Sequence, residues 1–241
     1  MSKIKILHID VETSPMEGYF FDCYRPINYD WIKRDSNILC FCYKWHNEGK
    51  VHSIAVDPNR PFDDRALLKE ATKVMEEADF VVGHYAARFD WRVIQGRLFL
   101  NKLPKLPITK IIDTHTISKK HFKFPSYRLD YLSKRRTGEG KIKVPGQLWL
   151  DCCNKVPGAL DKMIKYCKQD VYVLEGYYNE LRPYDTSINY NTGEGECPHC
   201  GEKGKLVKNG TYSQKYQRYK CRACGGSSTG MIRDKTKLIP R

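Results

Sequence analysis

Ile9-Asp10-Val11-Glu12-Thr13 overlaps the end of a stretch, residues 3–11, whose tight apolar alternation reads as a buried strand. Residues two apart on a strand share a face, so Asp10 and Glu12 project together. Two adjacent carboxylates repel each other unless a cation sits between them. Working outward, Phe80-Val81-Val82-Gly83 is a second short buried strand, and Asp90 follows at the start of a helix running from about Phe89 to Leu100. Further on, Tyr166 and Asp170 stand four apart in a long helix expected over Asp161–Leu181 and stopped by Pro183, so they too share a face. Oxygen-only ligation from Asp10, Glu12, Asp90 and Asp170 suits Mg²⁺ or Mn²⁺ better than zinc. Two such ions about 4 Å apart serve an in-line phosphoryl displacement.

The remaining elements support one α/β layer architecture. Asn37–Trp45 and Val51–Val56 read as strands across the turn Asn47-Glu48-Gly49, and Lys110–Thr114 as another. Asp63 or Asp64 is expected to cap a helix through Glu77 that buries Leu67, Leu68, Ala71, Val74, Met75 and Ala78. Short helices are expected at Leu129–Lys134 and Gln147–Asn154. Strands first, then strand–helix alternation, predict a mixed sheet flanked by helices.

The three acidic stretches, in this order, resemble the DEDD exonucleases, whose fold is ribonuclease-H-like. The resemblance covers residues 4–184 and implies that Asp10, Glu12, Asp90 and Asp170 are metal ligands. Tyr166, four before the last Asp, with Lys165 where the other branch has His, is similar to the tyrosine branch. That branch includes proofreading domains of DNA polymerases and some RNA-trimming enzymes. A phenol of ordinary pKa near 10 is a poor base at neutral pH, so Tyr166 is expected to orient the attacking water. Asp10-Val11-Glu12-Thr13-Ser14-Pro15, Ser126-Tyr127-Arg128-Leu129, Leu148-Trp149-Leu150-Asp151 and Leu181-Arg182-Pro183 look like small stand-alone exonucleases of phages and bacteria that end in a zinc ribbon. Tyr85 departs from the Gly-His-Asn of many relatives and stands where terminal-nucleotide handling is expected. Asp113 is read as structural support.

Cys197-Pro198-His199-Cys200 and Cys221-Arg222-Ala223-Cys224 are Cys-x-x-Cys pairs separated by 20 residues, a spacing that implies one tetrahedral structural zinc. His199 is expected to be exposed. Between the pairs, Leu206–Gly210 and Gln217–Lys220 read as a hairpin with basic and aromatic faces. Residues 1–185 are thus expected to form the nuclease domain, 186–195 a linker, and 196–241 the ribbon with a basic tail. The other six cysteines read as small buried hydrophobes with free thiols.

The formal net charge of +14, from 42 Lys/Arg against 28 Asp/Glu, fits a protein that meets a polyanion. Residues 186–241 hold 11 Lys/Arg against 4 Asp/Glu, half of that excess. Tyr85, Arg135, Arg136, Lys141, Lys208, Arg218, Lys220 and Arg222 are the candidate nucleic-acid contacts. No apolar run approaches the ~20 residues of a membrane span, and the N-terminus enters a strand pattern at once, so neither membrane nor export is expected. A cytoplasmic 3′→5′ exonuclease is therefore expected, in the host cytoplasm if phage-encoded. It would act on single-stranded or frayed DNA ends and release nucleoside monophosphates. The alternatives are an RNA-trimming exonuclease, a structure-specific endonuclease, or a binding protein acting through the ribbon. DNA is favoured because the helical RNA-binding domain of the trimming enzymes is not seen. Any proofreading role would need a separate polymerase or repair partner.

Overall fold

The strand that carries Asp10 and Glu12, β1 (Ile6–Thr13), lies at the centre of a five-stranded sheet. The computed structural model describes residues 4–22, 24, 28–106, 109–185, 195–212, 216–231 and 234–240. A two-residue strand, β2 (Glu17–Gly18), and β3 (Ile32–Arg34) form a small separate ribbon. They are followed by β4 (Ile38–Trp45), β5 (His52–Ala55), β6 (Phe80–Gly83) and β7 (Lys110–Asp113). The sheet order is β5-β4-β1-β6-β7, with β1 antiparallel to β4 and parallel to β6, so the sheet is mixed as expected. A central strand is covered on both faces, and Ile6, Leu7, His8 and Ile9 are all buried. In register, His8, Asp10 and Glu12 face Lys44, Cys42 and Cys40 of β4, and the pairing slips between Glu12 and Thr13. That irregularity ends the ladder at the acidic end of β1.

Helices α1 (Arg65–Glu76), α2 (Asp90–Leu100), α5 (Gln147–Cys153) and α6 (Ala159–Leu181) supply side chains to the same core. The periodic face of α1 is buried as expected at Leu67, Leu68, Ala71 and Met75. Asp64 stands at the N-cap position of α1 but makes no capping bond. Its fully buried carboxylate instead accepts from Arg97 Nε at 2.7 Å, Arg97 Nη2 at 3.0 Å and the Ile38 N–H at 3.1 Å. A fork-on-carboxylate pair of this kind gains more than a single cap bond and ties α1 to α2. Two helices between β7 and α5 complete the set, α3 (Thr114–His121) and α4 (Leu129–Arg136). The sequence reading did not anticipate α3.

The chain divides into two compact units, Lys5–Asp113 with Glu139–Glu175, and Thr114–Gly138 with the chain from Gly176 onward. The first holds the five-stranded sheet. The second holds α3, α4 and a four-stranded sheet of order β11-β10-β9-β8. Its strands are β8 (Leu206–Tyr212), β9 (Tyr216–Cys221), β10 (Ser227–Met231) and β11 (Asp234–Pro240). The expected hairpin is thus half of the sheet. Of the expected linker, 186–194 lie outside the described residues. No helix among the described residues is long and apolar enough to cross a membrane.

Candidate acidic centre and cysteine site

Three elements bring carboxylates to one place. One carboxylate oxygen from each of Asp10, Glu12 and Asp170 lies within 4.8 Å of the others. Asp90 approaches through the backbone: its Oδ1 accepts the Val11 N–H at 3.1 Å, between the two acidic residues of β1. Asp90 itself is outside that three-oxygen group but couples electrostatically to Asp10.

The turn that delivers Asp90 is built around Gly83 and Asp113. A Cβ on Gly83 would sit 2.3 Å from Ala86 Cβ, so only glycine fits where β6 leaves the sheet. Asp113 then accepts the N–H groups of Tyr85 at 3.1 Å and Ala87 at 3.2 Å, the supporting role expected of it. Tyr85 is held at φ 69°, a left-handed conformation unusual for a bulky residue and one where Asn is enriched. Its ring is partly exposed.

Each carboxylate has its own neighbour. Trp149 Nε1 donates to Glu12 Oε2 at 3.1 Å, and the Cys167 thiol lies 3.4 Å from Asp10 Oδ2. Lys141 Nζ donates to Asp170 Oδ2 at 2.5 Å. Lys141, a candidate nucleic-acid contact from the sequence, thus sits on an acidic site residue. Nothing local in Gly140-Lys141-Ile142 signals this, because the partner is 29 positions away. The Tyr166 ring packs edge-on to Trp149, centroids 5.7 Å apart, with Lys141 Nζ 5.8 Å from its centre.

Burial dominates the electrostatics. It raises Asp10 well above the ordinary carboxyl range, helped by the charges of Asp90, Asp170 and Glu12. Burial and then Asp170 push Glu12 up to about 7, and burial pushes Asp90 up to about 6. Tyr166 is also raised, by burial and then Asp170, so its phenol keeps its proton at neutral pH. Burial works against the Lys141 ammonium, yet the charges of Asp10 and Asp170 outweigh it and raise its pKa. One lysine cannot neutralise this many carboxylates. A donor set made of hard oxygens and short of positive charge could hold divalent metal ions.

Cys40, Cys42 and Cys167 are fully buried, as expected, with their Sγ atoms within 4.8 Å of one another. Arg135 and Arg136 lie on α4, Arg135 over the Tyr131 ring at 4.7 Å and Arg136 Nε on Glu180 at 2.7 Å.

The four ribbon cysteines converge as their spacing requires, one Sγ of each within 4.8 Å of the rest. Sγ–Sγ distances of 3.8 Å for Cys197–Cys224 and Cys200–Cys221 match the edge of a tetrahedron with ~2.3 Å bonds, so the four thiols could hold a zinc ion. The N–H groups of His199 and Gly226 point at Cys197 and Cys224, each at 3.4 Å. His199 corrects the sequence reading: it is buried, and its Nε2 lies 2.7 Å from the Ser227 carbonyl oxygen. Gly226 makes room for it, since a Cβ there would meet the ring at 2.6 Å. Lys208, Arg218, Lys220 and Arg222 are exposed. They do not form one patch: Lys208 pairs across the ladder with Tyr219, whereas Arg218 and Lys220 take the opposite face of β9.

Fold and site together define a mixed α/β protein with a partly buried acidic centre and a four-cysteine cluster. No protein-family model matches the chain, and no curated protein matches it in sequence. Among solved structures it is similar to a family B DNA polymerase from the hyperthermophilic archaeon Pyrobaculum calidifontis, with TM-score 0.56 and 16% identity over 77% of this chain. The chain spans 26% of that polymerase's length, and at this identity the likeness is one of fold.

Proposed function

We propose that the chain is a two-metal-ion 3′→5′ exonuclease of the DEDD tyrosine branch, its sheet of ribonuclease-H-like type, releasing nucleoside monophosphates from DNA. The observation that carries the reading is the convergence of Asp10, Glu12 and Asp170, with burial and the Asp170 charge raising the pKa of both Asp10 and Glu12. Carboxylates so placed need a cation. Asp10, Glu12, Asp90 and Asp170 would hold two Mg²⁺ or Mn²⁺, which when bound supply Lewis-acid and charge stabilisation for phosphodiester hydrolysis. Trp149 and Cys167 fix the orientation of Glu12 and Asp10. Protonated Tyr166 orients the attacking water by hydrogen bond, and Lys141 offsets negative charge beside Asp170.

DNA is the preferred substrate in this reading because the tyrosine branch includes proofreading domains and the fold likeness is to a DNA polymerase. Residues 196–241 act as a zinc ribbon that adds nucleic-acid contacts. The test is purified protein with Mg²⁺ or Mn²⁺ on 5′-labelled single-stranded DNA, duplex DNA and RNA, beside a closed single-stranded circle. Stepwise shortening of linear DNA, with the circle spared, is expected. Asp10→Ala, Asp90→Ala and Asp170→Ala should each abolish it while remaining folded. Near wild-type turnover in any of the three places the chemistry elsewhere, and efficient cutting of the circle makes the enzyme an endonuclease.

A further inference from the structure

Between β1 and β4 the chain leaves the sheet and returns with a cluster of aromatic side chains that the core does not use. Tyr19, Phe20, Phe21, Tyr29 and Trp31 are between 39% and 82% exposed, where a soluble fold ordinarily buries rings of this size. They are held in place. The excursion is clamped at its base by Ser14 N–H to the Asn37 carbonyl at 2.8 Å and Ser14 Oγ to Asn37 Oδ1 at 2.8 Å. Tyr19 N–H bonds the Trp31 carbonyl at 3.0 Å, a crossing that Gly18 permits, since a Cβ there would lie 2.9 Å from that oxygen. Phe21 and Trp31 meet edge to face with centroids 5.1 Å apart. Tyr19, Phe20, Phe21 and Trp31 line a notch of about 300 Å³.

We propose that this aromatic strap is a stacking platform for the unpaired bases of a nucleic-acid strand whose 3′ end lies at the carboxylates. The proposal rests on the exonuclease reading. Its first support is continuity with the acidic centre: the strap begins after Thr13, the last residue of β1 and the neighbour of Glu12, and seven residues of chain put Tyr19 within about 25 Å of Glu12 even at full extension. The second is the kind of surface, rings with open faces, which stack on any base. The third is charge. Residues 15–36 carry three Lys/Arg against four Asp/Glu, and Lys33 and Arg34 are both paired with Glu17, at 2.8 and 3.0 Å. A surface without excess positive charge does not suit backbone phosphate or an anionic membrane. It suits bases turned inward with phosphates facing water. The strap therefore selects single strands or frayed ends, since paired bases present no free face.

The test uses the full-length protein and fluorescein-labelled dT12, with Ca²⁺ replacing Mg²⁺, followed by anisotropy over a salt titration. Phe20→Ala with Phe21→Ala should weaken binding about ten- to a hundredfold with an unchanged salt slope, because stacking is lost and phosphate contacts are not. Phe21→Trp, which keeps a flat ring, should stay within about twofold of wild type. Phe21→Ser, at the most exposed of these rings, covers the case in which the double variant fails to fold. Unchanged affinity in variants that melt like wild type overturns the proposal, as does a flattened salt slope. If light scattering shows the variants losing a dimer while dT12 affinity holds, the strap is a self-association surface and the proposal falls. Hydrolysis of thymidine 5′-monophosphate p-nitrophenyl ester by the wild type in Mn²⁺ reads the carboxylates alone. No turnover of ester or strand, combined with weakened dT12 binding in the strap variants, leaves the platform standing and removes the exonuclease reading.

Discussion

Glu12→Gln should stabilise the metal-free protein at pH 8, by an amount that disappears in acid. The Glu12 carboxyl is raised from 4.5 to about 7, chiefly by burial and then by Asp170. A folded-state pKa above the unfolded one favours the protonated fold, so the stability it contributes is full below about pH 4.5 and is lost as pH rises through 7. A carboxyl moved from 4.5 to about 7 sets a ceiling of about 3 kcal/mol on what the ionised side chain removes at pH 8. Asp10 and Asp170 share that repulsion, so a gain of about 1–3 kcal/mol is expected for the neutral amide. Gln keeps an oxygen for Trp149 Nε1, which now donates to Glu12 at 3.1 Å, so packing should change little.

For the unit that holds β1, the gain corresponds to a rise of about 3–10 °C in melting temperature. The assay is thermal unfolding at pH 4.5 and pH 8 without added Mg²⁺ or Mn²⁺, and without chelator so that ribbon zinc is retained. Saturating Mn²⁺ should then raise wild type more than the variant, because a ligand stabilises the state that binds it. Glu12→Gln melting at or below wild type at pH 8, or an equal shift at both pH values, would refute the claim that these carboxylates are held at a cost in the absence of metal.

Lys141→Met should destabilise metal-free protein by about 3 kcal/mol at pH 8, since it strips the cation from buried Asp170, and Mn²⁺ should recover most of the loss in a melting experiment. Tyr85→Asn should raise the urea midpoint by an amount equivalent to about 1 kcal/mol, because φ 69° suits Asn better than Tyr; an unchanged midpoint means the turn carries no strain. Tyr166→Phe should slow hydrolysis about ten- to a thousandfold in single-turnover kinetics, while the metal-induced melting shift is kept. Cys197→Ser with Cys221→Ser should weaken nucleic-acid binding and flatten its salt dependence. Equal binding at every salt concentration would make the ribbon a docking or structural element.

What could be read from the sequence follows the range of the forces involved. Asp10 with Glu12, and Tyr166 with Asp170, are pairs fixed by the two- and four-residue repeats of strand and helix, so spacing alone puts each on one face. The four cysteines are legible for the same reason, because metal geometry is written into their spacing. Helix α3 was missed because Thr114-His115-Thr116-Ile117-Ser118-Lys119-Lys120-His121 has almost no apolar repeat. Its buried groups are hydroxyls, such as Ser118 Oγ bonded to the Thr114 carbonyl at 2.7 Å and to Tyr177 Oη at 2.7 Å. His199 was misread as exposed because the space for its ring is created by Gly226, 27 positions later. Lys141 is the most instructive case. Its neighbours spell a solvated basic loop, and its destination is set by the unbalanced charge of Asp10 and Asp170, which no local pattern encodes. A basic residue beside glycines is ambiguous until the chain's carboxylates are counted together. Once they are counted, a cation drawn in from a distant loop becomes the expected response to the same deficit that calls for metal.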